Sequence, residues 1–290
     1  MKETNLDYIR PYFFGDKAGP QRNRYVLWLD IMGAGPKIAR NVQTASIPVM
    51  KLHVAALTAV KKNKGKPLEL FPIIDGLYVA SEDLNPLMFF MSEVLRSMAA
   101  EFLMLGNWER SMVRGAVSYG PVILGRESVD GSDILRDSGY CNSILLGMPL
   151  VQAYAAERLA PPFGVYVHES ARAFSPSNAK PMTTVFWRWW LTNKVAQEVV
   201  LALPKEIDAY FDWCRKHSAQ IEYPLDRIEA HYCLATEYLL DLESTFRADE
   251  EDKGPNSESC ACPERSGAVN TRGDYQAHGG PEAKAQPPKD

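Results

Sequence analysis

The chain has no surplus of positive charge: 32 Lys and Arg stand against 36 Asp and Glu in 290 residues, a formal net charge of −4. General nucleic-acid binders and anionic-membrane binders draw affinity from clustered cations, so neither partner is expected. Long apolar runs are missing too. The most apolar window, Leu84 to Leu105, is interrupted by Glu93, Arg96 and Glu101, which argues against a membrane span. Met1 to Arg10 is polar and lacks the apolar core of a signal peptide, so a cytoplasmic protein is expected. The five cysteines are few and unpaired in pattern. Cys141, Cys214 and Cys233 are scattered, and Cys260-Ala-Cys262 with His278 has no second tight pair to complete a metal site, so reduced thiols are expected. No internal repeat is found.

What the sequence does have is a 46% hydrophobic composition, enough for one large core with an appendage. Its organising stretch is Tyr25-Val26-Leu27-Trp28-Leu29-Asp30-Ile31-Met32-Gly33-Ala34-Gly35. An apolar run of strand formers ends on one carboxylate and breaks into a glycine loop, which puts Asp30 where a buried strand opens to solvent. A metal would suit that carboxylate, and amides of a glycine loop leading into a helix point towards anions.

Ahead of it, residues 1–22 form an arm with an aromatic cluster and a loop. Behind it, apolar residues from Ile38 to Val60 recur at helical spacing, with Pro48 expected to kink or divide the helix. The run Leu68 to Ala80 reads as two strands joined at Asp75-Gly76, where an acidic residue is common for backbone reasons alone. Asn85-Pro86 opens a helix that ends at Gly106, with Asn85 as the expected cap. Met112 to Gly120 and Pro121 to Gly125 look like another hairpin, followed by a polar loop from Arg126 to about Tyr140. Gly147-Met148-Pro149 starts a further helix, and Gly164 to His168 is a short strand, with His168 a strand-end polar residue rather than a ligand. From Thr183 an aromatic cluster, read as core or subunit contact, leads into about three helical segments up to Phe246. The acidic run Asp249 to Asp252 opens a tail poor in large apolar groups, read as disordered.

Four stretches in this order resemble the class III nucleotidyl cyclases: Leu29 to Gly33, Ile74-Asp75-Gly76, Arg114 to Gly120, and Gly147 to Arg158 followed by Gly164 to Val167. The likeness covers about residues 22 to 175. Its departures from the mainstream pattern are most similar to the bacterial pyrimidine cyclases of the Pycsar anti-phage system. The resemblance implies an α+β fold, a ferredoxin-like sheet with helices on it over residues 23–180; residue patterning adds the helical extension over 181–246 and the tail over 247–290.

The resemblance also implies a reaction. The 3′-hydroxyl of a nucleoside triphosphate attacks the α-phosphate and pyrophosphate leaves, assisted by two Mn²⁺ or Mg²⁺ ions per site. It assigns the metal to Asp30, the Ile31 carbonyl and Asp75, and the phosphate cradle to the amides of Met32, Gly33 and Ala34. Arg114 either reaches phosphate or braces the fold. Sites between two domains imply a homodimer.

Purine-specific members carry polar groups where this chain has Phe71 and Ile144, neither of which can read a purine edge. A pyrimidine substrate follows, with UTP preferred and CTP possible, although Phe71 could simply be core. The family's transition-state asparagine and arginine fall on Val151 and Ala155, or on Gln152 and Ala156 with a one-residue shift. Gln152 and Arg158 are the nearest competent groups, and Arg158 reads equally well as half of a helix-surface ion pair. Divergent adenylyl or guanylyl cyclases, and a degenerate nucleotide-binding domain, remain the alternatives.

Overall fold

The computed structural model describes residues 20–65, 67–128, 139–176, 179–191, 197–240 and 242. Most of the arm before residue 20, the centre of the loop after Arg126 and the whole of the tail, with Cys260, Cys262 and His278, lie outside the described residues.

Strand β1 (Arg22–Ile31) is the middle of the molecule. Tyr25, Leu27, Leu29 and Ile31 are almost wholly buried on one face, and Val26 and Trp28 on the other, as period-two alternation of a doubly covered strand requires. Helices α1 (Ala34–Arg40) and α2 (Val42–Lys62) follow. Their break falls at Asn41, whose side chain caps α2 by accepting from the Thr44 amide at 3.1 Å. The expected interruption at Pro48 does not occur; α2 runs through it.

Strands β2 (Glu69–Ile73) and β3 (Gly76–Ser81) form the expected hairpin, but its central residues are Ile74 and Asp75, not Asp75 and Gly76. Gly76 pairs with both Ile73 and Asp30. A Cβ at Gly76 would collide with the Leu29 carbonyl and the Trp28 ring, so glycine is required there for packing.

Helix α3 (Leu84–Met104) starts earlier than expected, with Asp83 rather than Asn85 at the cap position. The second expected hairpin is one strand, β4 (Val113–Leu124), paired with β1 from Ile31↔Val113 to Arg22↔Val122. Pro121 does not break it for a local reason. On its outer edge β4 pairs with β6 (Val165–Val167) only as far as Val117 and with β5 (Leu145–Leu146) only from Ile123, so no partner there needs the missing N–H.

The short α4 (Gly125–Ser128) and α5 (Met148–Glu157) flank β5. After β6, His168 caps α6 (Glu169–Ala173) through Nδ1, accepting from the Ser170 amide. Strand β7 (Phe186–Trp187) completes the sheet in the order β2-β3-β1-β4-β6-β7, with β5 beside β4. The β2-β3-β1-β4 antiparallel part with α2 and α3 is the ferredoxin-like arrangement, and the fold is α+β.

Helices α2 and α3 cover one face of the sheet and α5 the other. Helices α7 (Gln197–Lys216) and α8 (Leu225–Leu239) follow, and most of the remaining expected helical stretch up to Phe246 lies outside the described residues. Trp189, Phe211, Ile228 and Tyr238 join Leu27 and Phe90 in one core, so the aromatic cluster after Thr183 is core. No described helix is long and apolar enough to cross a membrane.

Candidate active site

Asp30 lies on β1 opposite Gly76 on one side and Arg114 on the other. By alternation it projects from the sheet face that carries Val26 and Trp28, the face covered by α5. It is half-buried, and its carboxylate accepts from the Ile31 amide. Burial, and after it the charges of Asp75 and Glu157, push its carboxyl up to about 7, against the smaller opposing pull of Ile31 and Arg114. The hairpin therefore brings Asp75 close enough for the two carboxylates to repel. Beside Asp75, Ile74 has a φ of 50°, a left-handed conformation that a β-branched residue rarely adopts. Such strain persists only where the surroundings hold it, and it tends to gather at functional sites.

The glycine loop follows directly. Gly33, φ 73°, turns the chain from β1 into α1. The Met32 amide is not available to an anion, because it donates to the Met112 carbonyl at 2.9 Å. Of the expected cradle, Gly33 is exposed and Ala34 is buried at the first turn of α1.

Arg114 is held from several sides. Its Nε donates to Glu157 on α5, and Nη1 donates to the Arg158 carbonyl at 3.4 Å and to His231 Nε2 at 3.1 Å. Glu157 is buried, so this ion pair braces the sheet against α5, and the His231 contact ties in α8. Arg114 also borders a cleft of about 180 Å³ with Asp30, Met32 and Gly33. Bracing the fold and facing the cleft are thus both true of it.

The other expected residues lie apart. The Arg158 side chain is exposed just beyond α5, and Gln152, half-buried, is more than a turn earlier on the same helix. Phe71 is buried in a cluster with Trp28 and Tyr78, which makes it core. Ile144 sits against Gly125, past the far end of β4 from Arg114. What sequence reasoning missed is the contribution of the C-terminal helices: Tyr223, Arg227 and His231 line the Asp30 cleft. No local period marks them; only the fold brings them there.

The fold and site thus define an α+β protein with a ferredoxin-like sheet and an acidic pair at the head of a glycine turn. No protein-family model matches the chain, and no curated protein sequence matches it. Among solved structures it is similar to an adenylate/guanylate cyclase/hydrolase from Silicibacter pomeroyi, at 17% identity and a TM-score of 0.39, over 51% of this chain and 77% of that one. It is also similar to a bacterial light-regulated adenylyl cyclase, at 15% identity and a TM-score of 0.37, over 51% of this chain and 42% of that one.

Proposed function

We propose that the chain is a nucleotide cyclase that converts UTP, with CTP as second candidate, to the 3′,5′-cyclic monophosphate and pyrophosphate, as a bacterial alarm signal against phage. The observation that supports this reading is the acidic pair. Asp30 and Asp75, from a strand end and the adjoining hairpin, are close enough to repel, and burial together with that repulsion pushes the Asp30 carboxyl up to about 7 against the smaller pull of Arg114.

The donor set suits Mn²⁺ or Mg²⁺. Hard carboxylate oxygens and the Ile31 carbonyl would hold two ions with substrate phosphates completing the shell. The described residues hold no group of three or more His, Cys, Asp and Glu side chains placed for a metal. Bound there, the ions would acidify the 3′-hydroxyl and neutralise charge on the phosphates.

The chain's own groups do the rest. Asp30 and Asp75 must be ionised to bind, Gly33 and Ala34 offer the remaining amides of the cradle, and Glu157 keeps Arg114 oriented beside Asp30. Catalytic groups from α5, Gln152 and Arg158, would serve across a homodimer. Met148, Val151 and Tyr154 leave an exposed apolar face on α5, which supports cover by a second copy. The pyrimidine preference rests on the sequence resemblance alone, in which Phe71 and Ile144 stand where purine-specific members carry polar groups; here Phe71 packs in the core and Ile144 lies against Gly125.

A degenerate domain that binds nucleotide without turnover is the second reading, favoured by the α5 positions that lack both asparagine and arginine. Incubation of the purified chain with each of the four nucleoside triphosphates and Mn²⁺, with chromatography of the products, separates the readings. Cyclic UMP or CMP with pyrophosphate is expected. Cyclic AMP or GMP alone refutes the pyrimidine assignment, and binding without product supports the degenerate domain.

A further inference from the structure

The Asp30 cleft has a second wall, which the acidic pair does not account for. Tyr223, Arg227 and His231, from α8 and the loop before it, line it together with Gly33 and Arg114. The loop enters this position through Glu222 at a φ of 52°, a left-handed conformation held by its surroundings.

The hydrogen bonds along this wall have one direction. Arginine donates and never accepts, so Arg114 Nη1 donates to His231 Nε2. That nitrogen is therefore bare, and the ring proton sits on Nδ1. Burial and the charges of Arg114 and Arg227 push His231 down to about 4, which keeps the ring neutral with that single proton. Nδ1 bonds the Tyr223 hydroxyl, whose oxygen must accept. Tyr223 is left with its own O–H to give to whatever occupies the cleft.

Beside it stands a cation with no acid to pair with. Arg227 is exposed and has no carboxylate partner among the described residues. Its neighbour Glu222 pairs with Arg40 at 3.0 Å, and Lys37, which also lines the cleft, is engaged by the Arg110 carbonyl and the Ser111 hydroxyl. At about 180 Å³ the cleft is smaller than pockets that enclose a whole drug-sized ligand, and it suits a phosphate chain whose nucleoside lies outside.

We propose that this wall binds the phosphates of the substrate and the departing pyrophosphate: Arg227 supplies charge and Tyr223 a hydroxyl donor, with His231 and Arg114 as positioning residues. The proposal rests on the nucleotide reading of the Asp30 cleft. It puts a phosphate-neutralising cation on the same chain as Asp30, on α8, where α5 offers neither the asparagine nor the arginine.

Calorimetric titration of the full chain with inorganic pyrophosphate and Mn²⁺ tests it without turnover, beside steady-state kinetics on whichever nucleotide is cyclised. Arg227→Ala is expected to weaken pyrophosphate about tenfold and raise KM by a like factor, with kcat changed less than about threefold. Arg227→Lys should recover most of the loss, and Tyr223→Phe, which keeps the ring, should weaken pyrophosphate about fivefold. Melting temperatures of these variants should match the parent's. Unchanged pyrophosphate affinity and KM in both Arg227→Ala and Tyr223→Phe, or no pyrophosphate binding by the parent protein, would overturn the proposal. Normal cyclisation beside unchanged binding leaves the cyclase reading standing. Arg227-dependent pyrophosphate binding without cyclisation of any nucleotide refutes that reading and supports the wall.

Discussion

Glu93 and Asp30 are both partly withdrawn from water, and their surroundings treat them oppositely. Glu93 on α3 accepts from Lys62 at 2.8 Å and from Arg96 at 3.3 Å, and although burial alone would raise its carboxyl, these cations bring it below the usual range. The carboxyl of Asp30 on β1 is pushed up to about 7, first by burial and then by Asp75 and Glu157. Where a fold needs an acid for structure it supplies the counter-charge from its own chain. Beside Asp30, Arg114 is already committed to Glu157, so it offsets the acids only in part, as the proposed cation site requires.

The largest expected effect is on chemistry. Asp30→Ala or Asp75→Ala should lower pyrophosphate release from nucleoside triphosphate by at least about 10³-fold, because each removes a proposed metal ligand. Glu93→Gln should leave that rate within about threefold. Full turnover in either aspartate variant would dissolve the contrast between the two acids.

Next in size is stability. Glu93→Gln leaves Lys62 and Arg96 without their anion and should cost about 2 kcal/mol at pH 8, a fall of several degrees in melting temperature. The pH dependence has a definite sign. A lowered carboxyl contributes stability that is present above the ordinary glutamate value and is lost as pH falls through the depressed one. Replacing Glu93 should therefore hurt most at neutral pH and least in acid.

Asp30 should show the opposite slope. Between about pH 4 and 7 the native state keeps a proton that the unfolded chain has released, so metal-free stability falls as pH rises through that window. Asp30→Asn should remove the falling limb and melt higher than the parent at pH 8 without metal, by differential scanning fluorimetry. A variant that melts lower at pH 8 would mean that the Asp30 charge is compensated inside the fold.

The part of this arrangement that local sequence carries was legible. The apolar run into Asp30 and Gly33 announced a strand opening onto a glycine turn, the Asp75 hairpin formed within one residue of its expected centre, and Gly147-Met148-Pro149 did begin a helix. Local signals misled where tertiary pairing overruled them. Gly120-Pro121 has turn chemistry, yet β1 is long enough to template a single strand past it, along an edge where proline costs no ladder bond. Phe71 occupied a position that could face a base, but a large ring on the same sheet face as Trp28 and Tyr78 packs with them. The Glu157–Arg114 pair and the Tyr223–His231–Arg114 chain join residues far apart in sequence, and no periodicity encodes such contacts.

The most direct test of the acidic pair is Mn²⁺ binding to the full chain at pH 8, followed by electron paramagnetic resonance in the presence of a nucleoside triphosphate whose 3′-hydroxyl is missing. Saturable binding that Asp30→Asn and Asp75→Asn each weaken by at least about tenfold, and Glu93→Gln leaves unchanged, is the predicted result. Equal Mn²⁺ affinity in all four proteins would contradict the account.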